Sequence, residues 1–470
     1  MKRSSLFSEK GLVLTGLSLI ILFACNKNVS APLPFTDPVA LPAKNITPTS
    51  FTADWEKTGA TTYNLYVATD SNFTNPLPGY NPMSVKPDSA NLTGLTSKTN
   101  YYYKVVGVDG QGKLTNPSKT IAVYTPDPSD DHYVYIGSED MYVYCFYAGT
   151  GDKVWSYKTA GDIESSATIS GGVLYIAGTD QRLYSMDALT GAKRWNFLTG
   201  GPVVSSPAVG PTAIYTASWQ GGTVYGINLN GSKKWAVTPT ANTRIFSSPT
   251  YYNGMVYIGS QDRNFYAFNS ETGAKVWSVA TGDSINSSPA ISNGIVYVGS
   301  SDRNVYAYDA ATGAFKWSAA TGDSILSSPT ISNGIVYVGS FDGSLYAFDA
   351  ATGSQKWKSA ITGGRIQSSP AVSNGVVYVG SFDNYMYAFD ATTGSQKWKT
   401  LTGGRVMSSP TVSNGVVYAG SYDKKLYAFD AATGAIKWAA ATGGSIRMSS
   451  PTVLTFPGNV VLPGVSGDMQ

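Results

Sequence analysis

The sequence predicts an all-β chain in which a small β-sandwich precedes an eight-bladed β-propeller of four-stranded antiparallel blades. Three observations predict it. Eight tryptophans, Trp155, Trp195, Trp235, Trp277, Trp317, Trp357, Trp398 and Trp438, recur at intervals of 40, 40, 42, 40, 40, 41 and 40 residues, the period of a unit that cannot bury its apolar face alone. Within one unit, Ser327 to Ala360, the runs SSPTIS, IVYVGS, LYAFD and QKWKSA are short, rich in Val, Ile, Tyr and Phe, and divided by Asn-Gly, Asp-Gly or Thr-Gly. That is the signature of strands joined by hairpin turns. No 3.6-residue apolar periodicity competes with it, and radial packing of such sheets buries both faces while ring closure leaves only short edges.

The first element is an address. Lys2 and Arg3 precede an apolar run from Gly11 to Phe23, which is short for a bilayer span of ~20 residues, so residues 1–24 are expected to be a signal peptide. The run ends in Leu22-Phe23-Ala24-Cys25, which resembles the bacterial lipobox. The resemblance implies cleavage before Cys25, acylation of its thiol, and a membrane anchor of several acyl chains, where one alone is marginal. The Pro- and Asn-rich residues 25–37 read as a tether. With Cys25 lipidated, Cys145, the one other cysteine, has no partner. No disulfide framework is expected, and Cys145, mid-strand in YVYCFY, reads as a small buried hydrophobe.

Residues 38–127 carry SFTADWE, TYNLYVATD, SANLTGL, NYYYKVVGVD and KTIAVYT, strands at sandwich spacing. With Trp55 as core, Leu95, Thr99 and Tyr101 as a tyrosine corner, and Tyr101, Tyr103 and Val105 on an inward face, the segment resembles a fibronectin type III domain. It contains no Arg-Gly-Asp tripeptide, so integrin-type adhesion has no support, and it reads as a stalk that lifts the propeller off the membrane.

Residues 128–470 are the propeller. Tyr306-Ala-Tyr-Asp309-Ala-Ala-Thr-Gly313-Ala-Phe-Lys-Trp317 and its counterparts ending at Trp357, Trp398 and Trp438 carry an A-x-D-x-x-T-G-x-x-x-W motif. Over residues ~133–455 the chain resembles the propellers of pyrroloquinoline quinone dehydrogenases. The resemblance implies that each tryptophan docks flat on the adjoining blade near the glycine of its turn, a structural role. The first unit, Tyr133 to Lys158, lacks an SSP strand, whereas SSPTVL at 449–454 is left over. The C-terminal strand is therefore expected to complete the first blade. VVLPGVSGDMQ, residues 460–470, looks like a further strand cut short.

Composition and charge narrow the function. The net charge is +3 and falls to about +1 once Lys2, Arg3, Lys10 and Glu9 leave with the leader, so no basic stripe is offered to nucleic acid. The resemblance to quinone dehydrogenases implies a vicinal Cys-Cys disulfide, a calcium site and a catalytic Asp. No Cys-Cys pair exists, and the aspartates belong to the repeat. Asp140, Asp180, Asp262, Asp302, Asp342, Asp383 and Asp423 share one turn position, and Asp187, Asp309, Asp349, Asp390 and Asp430 precede the Thr-Gly turn. Such residues bond the backbone of their own turns, whereas a catalytic residue should be singular. His132 is the only histidine, which excludes histidine triads and multi-histidine metal sites, and no glycine-rich segment has the phosphate-loop spacing. The chain is read as a non-enzyme with no cofactor and no metal. The reading from a different class is a quinone-dependent dehydrogenase.

Comparison among the repeats locates a candidate binding face. The residue before each Ser-Ser runs Glu164, Val204, Phe246, Asn286, Leu326, Gln367, Met407, Met448, and the turn between strands two and three begins Glu139, Thr179, Trp219, Gln261, Ser301, Phe341, Phe382, Tyr422. Strand alternation puts both loop sets on one side of the ring, together with Arg244, Arg365 and Arg405. The candidate ligand face is therefore Trp219, Phe246, Phe341, Phe382, Tyr422, Arg244, Arg365 and Arg405, a mix suited to peptide, glycan or another planar or anionic ligand. Drift of duplicated repeats where packing is least demanding is the competing explanation. The expected protein is a lipid-anchored binding or scaffold module of the bacterial envelope, at the outer membrane, with an envelope protein, peptide or glycan as partner. The architecture is similar to the propeller lipoproteins of the outer-membrane β-barrel assembly machine, which implies a role as an assembly factor. The sandwich is a departure from that family.

Overall fold

A computed structural model describes residues 33–86, 88–125, 132–455 and 459–461. The signal peptide, Cys25 and residues 462–470 lie outside the described residues. All regular structure in the described residues is strand.

Eight sheets form the propeller. Blade two is typical: strands Thr168–Ser170, Val173–Gly178, Arg182–Asp187 and Lys193–Leu198 pair antiparallel in sequence order. Blades three to eight repeat this order over residues 208–237, 250–280, 290–320, 330–358, 371–401 and 411–441. The short first strand is the innermost. Its hairpin to the second strand turns on Asn-Gly at residues 253–254, 293–294, 333–334, 374–375 and 414–415, where both residues hold positive φ, as a two-residue type I′ turn requires.

Blade one closes the ring. Thr452–Thr455, from the far end of the chain, pairs antiparallel with His132–Gly137, which is followed outward by Tyr142–Tyr147 and Lys153–Lys158. The strand expected from SSPTVL thus supplies the missing innermost strand. Asn459–Val461 then pairs with Thr452–Thr455 and adds a fifth strand to the inner edge of this blade alone.

The aromatic repeat seals each blade to the next. Trp317 Nε1 donates to the Ala350 carbonyl of the following blade at 3.0 Å, and Tyr297 Oη donates to the same oxygen at 3.0 Å. The pairs Trp277 with Tyr257 on Ala310, Trp357 with Tyr337 on Ala391, and Trp398 with Tyr378 on Ala431 repeat it. At the seam, Trp438 and Tyr418 donate to Ala148 of blade one at 2.9 and 3.1 Å. Each indole also covers the glycine of the neighbour's turn, Thr-Gly in all but blade three, where it is Asn230-Gly231. Gly353, at φ +74, lies under Trp317 so closely that a Cβ would stand 2.7 Å from the ring. Glycine is needed there twice, for the left-handed backbone and for the indole. Between blades lie apolar layers such as Tyr337, Leu345, Trp357, Ile366, Val379 and Phe389, and Cys145 is a buried, free thiol within the first of them.

The sandwich is built from two sheets. One orders Ala40–Thr47, Ser50–Trp55 and Ser89–Thr93; the other orders Met83–Val85, Thr62–Ala68, Thr99–Val108 and Ile121–Thr125. Trp55 is 2% exposed and packs on Tyr63 at 5.5 Å between ring centroids, and Tyr101, Tyr103 and Val105 alternate inward, all buried. At the end of the stretch 25–37, the Pro34 carbonyl accepts the Gly59 N–H at 2.9 Å and the Asp37 carboxylate accepts the Asn116 N–H at 2.9 Å, bonds to the sandwich that its composition does not advertise.

Candidate functional site

The Ser-Ser dipeptide builds the axis of the propeller. In each blade the first serine satisfies the second strand: Ser287 Oγ accepts the Gly299 N–H at 2.8 Å, and Ser327, Ser368 and Ser408 do the same for Gly339, Gly380 and Gly420. The second serine joins blades. The N–H groups of Ser166, Ser206, Ser248, Ser288, Ser328, Ser369, Ser409 and Ser450 each donate to the next hydroxyl at 2.9–3.0 Å, and Ser450 returns to Ser166. Eight hydrogen bonds thus form a closed belt around a central channel of about 860 Å³.

The residue just before each Ser-Ser has no such duty. Glu164, Val204, Phe246, Asn286, Leu326, Gln367, Met407 and Met448 all line the channel, which explains why this one position varies between fixed neighbours. Glu164 is the only charged member. Its side chain is 13% exposed, and its Oε1 lies 3.6 Å from Arg447 Nη1. Burial pushes its carboxyl above the usual range; Arg447 pulls it down, while Glu139 and Asp162 add to the rise. Arg447 is itself an insertion: GGRVMSS and GGRIQSS place one residue between the aliphatic position and Ser-Ser, whereas GGSIRMSS places two.

Around this ring, which shares Phe246 with the predicted ligand face, the structure gathers the residues of that face into two groups. In the first, on blades three and four, the Arg244 guanidinium lies 5.2 Å from the Trp219 ring centroid, and Trp219 meets Phe246 at 5.6 Å. The second spans blades six to eight. Arg365 lies over Phe341 at 5.0 Å, Arg405 over Phe382 at 5.4 Å, and the two phenylalanines are 6.3 Å apart. The loops are tied in register, Phe382 N–H to the Arg365 carbonyl and Tyr422 N–H to the Arg405 carbonyl, both at 3.0 Å. Gln261 and Ser301 occupy the equivalent positions between the groups, and Gln261 is bonded to Asn286 at 3.0 Å. The three arginines are exposed and their aromatic partners half-buried. Each guanidinium is stacked yet keeps its edge in water, free to meet a carboxylate or phosphate in a forked pair.

The repeated aspartates are committed to the scaffold. Asp302 accepts the Asn304 N–H at 3.0 Å, the Tyr306 hydroxyl at 2.8 Å and the Gly282 N–H of the preceding blade's loop at 2.7 Å. Asp349 accepts the Thr352 N–H and hydroxyl at 3.0 Å and faces Lys356 at 3.0 Å. The resemblance to quinone dehydrogenases implies pyrroloquinoline quinone with calcium, and the residues present do not fit that group. The channel mouth offers one carboxylate, already beside Arg447, and among the described residues no three His, Cys, Asp or Glu side chains gather as a metal site.

The family model for outer membrane protein assembly factor BamB matches residues 111–265, 200–288, 265–367 and 342–469, more than half of the chain. The chain belongs to the BamB family. A fibronectin type III model matches residues 36–124, so this BamB-family propeller carries a domain of that kind in front. Among solved structures, BamB from Moraxella catarrhalis is similar at 23% identity with a TM-score of 0.54, covering 61% of this chain and 88% of that one. The computationally designed Ika8 protein is similar at 15% identity with a TM-score of 0.54, covering 64% and 95%. Both likenesses bear on the fold alone. No curated protein matches the chain.

Sequence reading of this BamB-family chain singled out Phe246 from the channel ring and passed over Glu164 and Arg447. The available signal was that one carboxylate occurs in a series of eight and one residue is inserted in a fixed spacing; only the closed ring shows that these two oddities meet.

Proposed function

We propose that the chain is a non-catalytic, protein-binding scaffold of the bacterial envelope, held at the outer membrane through Cys25, and that it serves in outer-membrane protein assembly as its family name describes. The observation that carries the reading is the arc of arginines stacked on aromatics along one side of the propeller, Arg365 on Phe341 and Arg405 on Phe382, with Arg244 on Trp219 in a separate group. Stacked guanidinium and half-buried aromatic groups are what protein-binding hot spots are made of, and an exposed arginine edge selects acidic segments. The aspartates that would have to work in a hydrolase or dehydrogenase hold turns instead.

The test is affinity capture from detergent-solubilised envelope with the full chain, beside a variant carrying Arg365→Glu, Arg405→Glu and Phe382→Ala. A partner retained by the parent and lost by the variant is expected, with Cys25→Ser moving the protein out of the membrane fraction. A variant that keeps every partner refutes the arc as the binding surface.

A further inference from the structure

We propose that the channel mouth is a second binding site, for a short extended peptide segment that presents one basic side chain to Glu164 and aliphatic side chains to the apolar members of the ring. It deepens the scaffold reading above and takes from it the expectation that the ligand is protein.

Size limits the occupant first. A cavity of about 860 Å³ falls in the ~300–1,000 Å³ range of sites that enclose small ligands, so it takes a few residues of chain and not a folded domain. The wall then limits how the segment is read. The innermost strands are immediately preceded by Pro207, Pro249, Pro289, Pro329, Pro370, Pro410 and Pro451 in seven of the eight blades, and proline has no N–H to offer. The N–H groups of the second serines are used in the belt. The inner edge of blade one, behind Pro451, is already taken by Asn459–Val461, and at the mouth above the belt the groups that face a guest are the side chains before each Ser-Ser, so these supply the recognition.

The guest's side chains meet a ring of five apolar residues, two amides, Asn286 and Gln367, and one charge. Val204 and Met448 flank Glu164, and Phe246, Leu326 and Met407 complete the apolar surface; methionine adapts to guests of differing shape. Glu164 is screened from water, yet its cation stands at 3.6 Å, beyond the ~2.7–2.9 Å of a charge-assisted hydrogen bond. Glu139 and Asp162 add negative charge near Glu164, against which Arg447 is the one cation acting on it. A lysine or arginine side chain entering between Val204 and Met448 completes the pairing that Arg447 leaves loose. The inserted position of Arg447 makes it a counter-ion that a ligand displaces.

The intramolecular competitor is the chain's own end. Asn459–Val461 lies on the inner edge of blade one and runs antiparallel to Thr452–Thr455.

The experiment titrates the full chain with fluorescein-labelled Thr-Leu-Thr-Lys-Val-Thr-Phe-amide and with analogues carrying norleucine or Glu in place of Lys, read by anisotropy. The Lys peptide is expected to bind at least about tenfold tighter than the norleucine peptide, with the Glu peptide weakest. Glu164→Gln should bring the Lys and norleucine peptides together, Arg447→Ala should tighten the Lys peptide, and Arg365→Glu with Arg405→Glu should leave all three unchanged. Equal binding of Lys and norleucine peptides to the parent, a Lys preference that survives Glu164→Gln, or no saturable binding overturns the proposal. Binding that appears only after residues 462–470 are removed overturns it in favour of the chain's own end as occupant. Loss of the Lys preference with partner capture intact refutes this site alone; loss of capture with the preference intact refutes the arc alone.

Discussion

Replacing Trp317 by alanine removes an indole that is 6% exposed, lies over Gly353 of the next blade and donates to the Ala350 carbonyl at 3.0 Å. Large-to-small changes of this kind cost about 3–5 kcal/mol, from lost burial plus the cavity left behind. The hydrogen bond is the smaller part. Ala350 still accepts from Tyr297 at 3.0 Å, so its oxygen is not orphaned, and Trp317→Phe, which keeps an aromatic ring and loses the N–H, should cost only about 1–2 kcal/mol. The seam supplies the sharper test. Trp438 contacts blade one only because the ring closes, through Ala148 at 2.9 Å and Gly151 beneath its ring. Trp438→Ala should therefore cost about as much as Trp317→Ala. The assay is equilibrium urea unfolding by far-ultraviolet circular dichroism, with the slope checked so that midpoint shifts report stability. A Trp438→Ala effect within the ~0.5 kcal/mol typical of surface substitutions, beside a large Trp317→Ala effect, would refute closure. A Trp317→Ala cost below about 1 kcal/mol would refute the docking itself.

Gly375 and Gly394 share φ +71, but a Cβ on Gly375 meets nothing within 4 Å whereas one on Gly394 would stand 2.5 Å from Trp357. Gly375→Ala should cost about 1–2 kcal/mol of backbone strain, Gly394→Ala should cost more, and equal melting-temperature losses would remove the indole contact from the explanation. Glu164 has a folded-state pKa above its ordinary value through burial, partly offset by Arg447, so its ionisation works against folding: stability falls as pH rises through the ordinary carboxylate range toward the raised value. Glu164→Gln should raise the melting temperature at pH 7 and lose that advantage near pH 4, and an advantage equal at both pH values would contradict the burial. The bonds to Lys356 and Thr352 hold the Asp349 carboxyl down at about 2, and its contribution is present above the ordinary Asp range and fades as pH falls toward that value. Carboxyl titration by NMR should show this, with Lys356→Ala moving it up; no movement would contradict the pairing.

The blades, their number and the closing strand were legible because each rests on local signals that recur. Asn-Gly at residues 333–334 can only be a tight turn, alternating Tyr and Val can only be a half-buried strand, and the spacing of Trp317 from Gly313 repeats wherever two blades must seal. A motif used eight times averages away the ambiguity of any one copy. The bonds of Pro34 to Gly59 and of Asp37 to Asn116 were not legible for the opposite reason: they run to distant residues that no local pattern announces.

By itself the sequence determined the repeat, the turn chemistry, the scaffold role of Asp302 and Asp349, and that the position before Ser-Ser is free to vary. Tertiary structure alone decided where that freedom lies, on the lining of the central channel. Glu164 and Arg447 are separated by most of the chain and become neighbours only when the last strand joins the first blade. Arg365 likewise finds Phe341 and Arg405 finds Phe382 only because two different loops of successive blades converge on one side of the ring. Secondary structure follows from short-range sterics and apolar period, whereas a site assembled across blades depends on distances that exist only after the circle has closed.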